Sequence, residues 1–234
     1  MSNIDALLIT PPSRLEVYQG LANDYAAIEP PVWSSLIANF LIKKGFTAEI
    51  LDAEAENLTH EKTAEKIAKK NPKLAIFMVY GQQPSASTQC MPGGKKTCLK
   101  LNEITSNEIK SIVIGTHASA LPKKTLEEEP YTYVCQGEGP LTVIELISYL
   151  KGKTKDLKKI PGLWYLDKHK KVCSNPSAKM FEDLDQNLPG QAWKLLDMKK
   201  YKAHNWHTFG KLDTIKSYAS LQTSLGCPFK CTFC

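Results

Sequence analysis

Short apolar runs alternate with amphipathic segments along the first two thirds of the chain, and this alternation constrains the fold more than any other feature. Five runs are predicted to be β-strands, at Ile4 to Thr10, Phe46 to Leu51, Leu74 to Tyr80, Ser111 to Gly115 and Tyr133 to Cys135. Between them, apolar residues recur at helical spacing, most clearly over 32–41, 59–70 and 141–150. Parallel strands need crossover connections, which helices supply. The pattern therefore predicts an α/β domain with a doubly wound parallel sheet.

We interpret residues 1–152 as this domain, with a Rossmann-like or flavodoxin-like sheet. Pro92-Gly93-Gly94 interrupts the segment 82–106 and predicts a short or broken helix there. Beyond the domain, 162–166 and 171–173 predict a β-hairpin, which opens a hairpin-and-linker region over 153–217. Tyr218 to Thr223 is predicted to begin a new strand, the first of a third region over 218–234.

The composition is ordinary for a globular α/β protein. Hydrophobic residues make up 42% of the chain and charged residues 23%. No apolar run approaches the roughly 20 residues that span a bilayer, and the N-terminus lacks a signal peptide's basic-then-apolar order. The net charge of +6 comes from lysine-rich segments without interleaved aromatic residues, which favours a solvated surface over nucleic-acid binding. We expect a cytoplasmic protein with no membrane span and no nucleic-acid partner.

Three cysteines lie close together at the end of the sequence. Cys227, Cys231 and Cys234 stand at i, i+4 and i+7, a spacing that lets three thiolates each hold one iron of a cubane cluster and leaves the fourth iron open. The alternatives are a zinc site or a chance grouping. Structural zinc usually takes four ligands from paired CxxC motifs, and the sequence has no second pair. The other cysteines, Cys90, Cys98, Cys135 and Cys173, are scattered and are assigned no chemistry.

The CxxxCxxC arrangement resembles the motif of the radical S-adenosylmethionine (SAM) superfamily. The resemblance implies that Cys227, Cys231 and Cys234 hold a four-iron four-sulfur cluster. SAM would bind the open iron through its amino and carboxylate groups, and its cleavage would give a 5′-deoxyadenosyl radical. The resemblance also implies that Phe233 lies near the adenine of SAM. The apolar segment 220–225 stands where the superfamily has its first barrel strand.

The loops that follow the predicted strands are rich in glycine and hydroxyl groups. Ligands of doubly wound sheets bind beyond the carboxyl ends of the strands. Small residues there let backbone amides approach a large flat ligand, and hydroxyl groups can donate to its polar edge. The candidate binding residues are Thr10, Pro11, Pro12, Gly81, Gln82, Ser85, Gly115, Thr116, His117, Gly137, Glu138 and Gly139.

In their order, these loops resemble the cobalamin-binding domain that precedes the barrel in a large branch of radical SAM enzymes. The resemblance covers nearly the whole chain. It rests on the Gly115-Thr116-His117 turn with Leu121-Pro122, the Gly137-Glu138-Gly139 turn before a helix, the Pro161-Gly162-Leu163 hairpin and the linker from Leu188 to Tyr201. It implies cobalamin, a four-iron four-sulfur cluster and SAM as cofactors.

Two sequence features limit the resemblance. The DxHxxG signature of methionine synthase-like proteins is absent, so we expect base-off cobalamin without histidine coordination, and we assign His117 to binding only. Methylthiotransferases also place an α/β domain before CxxxCxxC, and they bind a second cluster through cysteines of that domain. Here Thr10-Pro11-Pro12 follows the first strand in place of a cysteine, which argues against that family.

The resemblance implies the N-terminal part of a cobalamin-dependent radical SAM enzyme. The simplest activity is methyl transfer to an unactivated carbon of a small-molecule substrate, with flavodoxin or ferredoxin as electron donor; ring formation or another rearrangement stays open. The sequence stops at the third cysteine, so we expect a truncated chain that lacks the barrel and is inactive in SAM cleavage. Two alternatives remain, namely a cobalamin-binding module without activity and a zinc-stabilised interaction protein.

Overall fold

A single seven-stranded sheet organises the computed structural model, which describes residues 4–22, 26–80, 84–188, 190–203, 219–226, 229, 231 and 232, with the backbone alone at 84 and 85. In chain order the strands are β1 (Ala6–Thr10), β2 (Ala48–Asp52), β3 (Leu74–Met78), β4 (Ser111–Ile114), β5 (Tyr133–Cys135), β6 (Leu163–Leu166) and β7 (Val172–Ser174). Their order in the sheet is β2-β1-β3-β4-β5-β6-β7. The first five pair in parallel. The predicted α/β class is therefore confirmed, in its flavodoxin-like form.

Helices cover both faces of the sheet. They are α1 (Arg14–Tyr18), α2 (Val32–Lys43), α3 (His60–Lys70), α4 (Pro84–Thr105), α5 (Thr116–Ala120), α6 (Pro122–Glu128), α7 (Pro140–Leu150) and α8 (Leu184–Asn187). Local sequence explains their ends. The Thr59 hydroxyl accepts a hydrogen bond from the Lys62 amide at the start of α3, and Asn71 closes that helix in the left-handed conformation.

Alternating strand residues build two core layers. In β1, Ala6 and Leu8 enter the layer that contains α2 and α7, whereas Leu7 and Ile9 enter the layer that contains α3 and α4. Burial on both sides explains why the strands read as continuous apolar runs. We call the layer with α2 and α7 the first layer and the layer with α3 and α4 the second layer.

The prediction of a short or broken helix over 82–106 was wrong. Helix α4 is 22 residues long and continues through Pro92. The two glycines after Pro92 lie where the helix meets the end of β1. A Cβ atom on Gly93 would collide with the Pro12 carbonyl, and one on Gly94 would lie 2.5 Å from the Tyr131 hydroxyl. The sequence Pro-Gly-Gly here serves close packing of a helix against a loop.

The predicted hairpin is present and extends the same sheet. β6 pairs antiparallel with β5, and β7 pairs antiparallel with β6. Asn175 directly follows β7, and its side-chain amide donates to the carbonyls of Leu157 and Ile160, both at 2.8 Å. These hydrogen bonds fix the end of the hairpin to the segment before β6. The predicted division of the chain at residue 152 stays a prediction, although hydrogen bonds cross it.

The strand predicted over 218–223 is absent from its described part, since residues 219–225 form no strand. A strand exists only when a neighbour pairs with it, and no described strand lies beside this segment. One hydrogen bond, from the side-chain amide of Gln191 to the Ser220 carbonyl at 2.8 Å, ties it to the linker. Leu225 packs against the first core layer.

Candidate functional site

The order in which strands join the sheet reverses between β1 and β3. The chain leaves β1 toward β2 on one side and later adds β3, β4 and β5 on the other. The loops at such a switch point diverge and leave a crevice, where open α/β sheets bind their ligands. Thr10 ends β1 at this point, and Pro11 and Pro12 follow it.

The ends of β3 and β4 meet at Gly115. A Cβ atom there would collide with the Val79 carbonyl and lie 3.0 Å from the Ser87 hydroxyl oxygen. Ser87, in the first turns of α4, donates to the Val79 carbonyl at 2.6 Å and accepts from the His117 amide at 3.1 Å. Glycine is therefore required at 115, and one buried serine joins three elements of the edge.

The His117 ring lies at the start of α5 and is held there. Its Nδ1 atom is 2.9 Å from the Thr88 hydroxyl oxygen in α4. A histidine that forms this hydrogen bond is oriented by the protein, and its binding role stays a prediction.

The Gly137-Glu138-Gly139 turn connects β5 to α7 with both glycines at positive φ, +111° and +103°. The Gly137 amide donates to the Ser119 hydroxyl at 2.9 Å. A Cβ atom on Gly139 would lie 2.9 Å from Ile114, whereas one on Gly137 would meet nothing within 4 Å. Gly139 thus serves packing and Gly137 faces open space. Burial raises the pKa of the Glu138 carboxyl between them.

Four buried hydroxyl oxygens at this edge have no hydrogen-bond partner within the described residues. They belong to Thr10, Ser34, Ser35 and Thr116. Thr10 ends β1, Thr116 follows β4, and the two serines lie in the first turn of α2. Buried polar atoms are nearly always paired in native proteins. All four lie at the carboxyl edge, where a bound ligand would supply the partners.

Glu54 organises the loop after β1. Its carboxylate accepts from the backbone amides of Ser13 and Arg14 and lies 3.5 Å from the Arg14 guanidinium. The carboxylate therefore satisfies amides at the start of α1, so that the loop already has a fixed conformation. Sequence reasoning did not single out Glu54, because its partners lie 40 residues earlier in the chain.

An aromatic pair at the same edge was also missed. The rings of Trp33 in α2 and Tyr80 after β3 stack, with centroids 5.1 Å apart and planes at 13°. In the sequence, Trp33 looked like one more apolar position of an amphipathic helix, and Tyr80 like the end of a strand. Their proximity follows from the crossover connection and could not be read from spacing.

Several predicted site residues lie outside the described residues. These are Gly81, Gln82, Cys227, Phe233 and Cys234, together with the side chain of Ser85. Cys231 is described and is an exposed free thiol. Within the described parts of the chain, no three His, Cys, Asp or Glu side chains are grouped so as to hold a metal ion.

The strand order defines a flavodoxin-like α/β domain, and the comparisons with known proteins specify its kind. The model of the B12 binding domain matches residues 18–147, more than half of the chain. The chain therefore belongs to the B12-binding domain family, and the resemblance stated from the sequence is confirmed.

Curated relatives extend the similarity across the chain. An uncharacterized methyltransferase of Pyrococcus horikoshii, PH0819, is 28% identical over all of this chain and 46% of its own length. The anaerobic magnesium-protoporphyrin IX monomethyl ester cyclase of Cereibacter sphaeroides is 25% identical over 93% of this chain and 33% of its own length. The chain thus spans less than half the length of either relative.

Solved structures agree on the fold. The apo form of OxsB, a cobalamin-dependent S-adenosylmethionine radical enzyme, superposes with a TM-score of 0.63 at 18% identity, over 99% of this chain and 28% of that one. TsrM of Kitasatospora setae, a radical S-adenosylmethionine methyltransferase, gives a TM-score of 0.56 at 18% identity, over 78% of this chain and 30% of that one.

Among the helices of the described residues, none is both long and apolar enough to cross a membrane.

Proposed function

We propose that this chain binds cobalamin at the carboxyl edge of its sheet as part of a cobalamin-dependent radical SAM enzyme, most simply a methyltransferase acting on an unactivated carbon. The observation that carries the proposal is the coincidence of the B12-binding domain match with unpartnered buried hydroxyls at the carboxyl edge of the matched domain. Cobalamin would supply the methyl-carrying metal, and the protein would supply orientation and exclusion of water.

The residues at the edge fit a large amide-bearing ligand. Thr10, Ser34, Ser35 and Thr116 offer hydroxyl groups, and the open space at Gly137 lets backbone approach the ligand. His117 would donate or accept a hydrogen bond while Thr88 fixes its ring. The proposal keeps the expectation of cobalamin without histidine coordination, because the DxHxxG signature is absent from the sequence.

A cluster held by Cys227, Cys231 and Cys234 is the second part of the proposal. Support comes from the motif and from Leu225, two residues before Cys227, which packs on the first core layer that also contains α2. This contact brings the approach to the motif onto the side of the sheet where Ser34 and Ser35 lie. A flavodoxin or ferredoxin as electron donor, and a cytoplasmic location, stay predictions.

Gly137 and Gly152 allow a matched test of the cobalamin site. Both glycines have positive φ, and a Cβ atom on either would meet nothing within 4 Å. Alanine is strained at either position, and more so at Gly137 (φ +111°) than at Gly152 (φ +73°, close to the left-handed region), so binding is compared per folded chain. Only Gly137 lies at the carboxyl edge, so Gly137→Ala alone should weaken aquacobalamin binding, by about tenfold or more, in equilibrium titrations followed by the corrin absorption. Equal affinities for the two variants, or no binding by the unaltered chain, would contradict the proposed site.

The cluster is tested through Cys231. After anaerobic incubation with iron and sulfide, Cys231→Ala should bind much less iron than the unaltered chain, because three thiolates are needed to hold the cubane. Cys173→Ala, which changes a free cysteine of the hairpin, should bind as much iron as the unaltered chain. Stoichiometric zinc with no iron, measured by elemental analysis, would favour the zinc-stabilised interaction protein instead.

A further inference from the structure

A cavity of about 270 Å³ lies between the start of α1, the loop after β2 and the linker. The polar side chains that line it belong to Arg14, Glu54, Asn57 and Lys202, and Ala26 and Ile28 add an apolar wall. The backbones of Ile28 and Lys202 exchange two hydrogen bonds, both of 3.0 Å. The linker is therefore fixed across the segment 26–28 and forms one wall of this space, which we call the Arg14 cavity.

The Arg14 cavity is separate from the candidate cobalamin site. β2 is the edge strand of the sheet, and β3, β4 and β5 lie on the other side of β1. Most of the candidate cobalamin residues follow those three strands. The B12 binding domain model matches residues 18–147, a range that includes neither Arg14 nor Lys202. Both cationic residues of the cavity thus lie outside the part of the chain that the family model matches.

Arg14 brings unused hydrogen-bond donors to this space. Its side chain is only 12% exposed. Its Nη1 atom donates to the Ala22 carbonyl at 2.7 Å. Its Nε atom is buried and lies 3.5 Å from a Glu54 carboxylate oxygen, but it forms no hydrogen bond within the described residues. A guanidinium carries five N–H donors in a planar fork, and buried donors are nearly always paired. A ligand in the cavity would supply the acceptor.

The lining of the cavity has one positive charge in excess, since Arg14 and Lys202 face the single carboxylate of Glu54. That carboxylate already accepts from the backbone amides of Ser13 and Arg14 and pairs with the Arg14 guanidinium. Within the described residues, neither the Lys202 ammonium nor the Asn57 side-chain amide has a hydrogen-bond or ion-pair partner. Three side chains can therefore donate to an anion here.

We propose that the Arg14 cavity binds a small phosphate-bearing molecule, either inorganic phosphate or a phosphate monoester, that is distinct from cobalamin. A guanidinium fork matches two phosphate oxygens at once. Phosphate has acceptor oxygens on all sides and can accept from Arg14, Asn57 and Lys202 together, whereas the two oxygens of a carboxylate lie on one side. The cavity is slightly smaller than the roughly 300–1,000 Å³ of drug-sized pockets, so the ligand is small. This inference does not depend on the proposed function.

Phosphorus NMR titration of inorganic phosphate, at constant ionic strength, tests the site in the unaltered chain. Saturable binding of one phosphate per chain is expected. Lys202 is exposed, so Lys202→Gln should fold normally and weaken binding by about three- to tenfold. Lys199→Gln is the matched control, because Lys199 is an exposed lysine of the same linker that does not line the cavity. It should leave the affinity unchanged.

Arg14→Lys keeps the charge but removes the planar fork. The variant should weaken phosphate binding by about tenfold or more, measured per folded chain. Because Arg14 also holds the loop after β1, its melting temperature is measured alongside. Should this variant fold poorly, the comparison of Lys202→Gln with Lys199→Gln still decides the outcome.

Competition experiments identify the ligand. Displacement of phosphate by glycerol 3-phosphate at lower concentration than by unlabelled phosphate would support a monoester, and the reverse order would support inorganic phosphate. Equal displacement by acetate would overturn the phosphate assignment. Displacement by aquacobalamin would assign the cavity to the phosphate of the cofactor's own tail and overturn a separate site, as would absent saturation or equal affinities of Lys202→Gln and Lys199→Gln. Failure of aquacobalamin to bind at all would contradict only the proposed function.

Discussion

Asp52 shows how one residue couples the sheet to the linker. It ends β2, it is buried, and its carboxylate accepts from the Ala55 amide at 3.1 Å. Tyr201 of the linker lies against it, and the tyrosine is itself buried. Burial raises the pKa of Asp52 from 3.8 to about 6, against the opposing effect of the Ala55 and Tyr201 hydrogen bonds. The folded protein therefore favours protonation of this carboxyl more than the unfolded chain does.

This shift predicts a specific pH dependence of stability. A carboxyl whose pKa is higher in the folded state makes its largest contribution below the unfolded value, near pH 4. That contribution is lost as pH rises through about 6. Asp52→Asn should remove this loss, so that the variant is less pH-dependent between pH 4 and 7 and more stable at pH 7. Urea unfolding at several pH values measures both effects, and a variant with unchanged slope would contradict the assignment.

A contrasting aspartate lies at the opposite edge of the sheet. Burial alone would raise the pKa of Asp5, but Lys151, whose Nζ atom is 2.5 Å away, and the Thr47 amide, at 2.9 Å, lower it. Asp5 therefore stays charged in the folded state. Both aspartates are little exposed, but Asp5 has a lysine partner, whereas burial dominates at Asp52.

Among the elements, α4 departs most from its sequence pattern. Pro92 removes one amide donor from the helix interior and would ordinarily break it. The helix persists because contacts of Gly93 and Gly94 with Pro12, Ser13 and Tyr131 hold its middle against the sheet. The element thus depends on tertiary contacts at the position where its local propensity is weakest.

Substitutions at neighbouring positions of α4 should have opposite effects. Gly93→Ala places a methyl group against the Pro12 carbonyl and the Ser13 hydroxyl, which lies 2.5 Å from the ideal Cβ position. The free energy of unfolding should fall by about 2–3 kcal/mol, as for other overpacked sites. Pro92 is exposed, and Pro92→Ala restores an amide donor, so it should be neutral or stabilising. Thermal and urea unfolding of both variants measure this, and equal stability would contradict the close approach.

At the scale of the whole molecule, the hairpin belongs physically to the sheet. Leu163 and Tyr165 of β6 are buried in the first layer, and β6 covers the edge of β5. The linker then returns along α2, where the Ala192 amide donates to the Ser35 carbonyl at 3.2 Å. Contacts from the chain after residue 152 therefore stabilise β5 and α2.

A shortened chain tests this arrangement. Residues 1–152 alone should be less stable than residues 1–176 by about 3–5 kcal/mol, because two large side chains lose their burial and the edge of β5 becomes exposed. Urea unfolding of the two chains, with light scattering to detect edge association, gives the comparison. Equal stability would show that the division at residue 152 is a true domain boundary.

The sequence by itself determined the strands, the main helices, the hairpin and the class of the fold. Each of these follows from local periodicity, glycine and proline positions, and burial on both sides of parallel strands. It also predicted which loops lie at the carboxyl edge, because the carboxyl ends of parallel strands lie at one edge. Only the tertiary structure decided the continuity of α4, the pairing of the hairpin with β5, the stack of Trp33 on Tyr80 and the Asp52–Tyr201 contact. Those features join residues far apart in the chain, and their energies arise from contacts that no local pattern encodes.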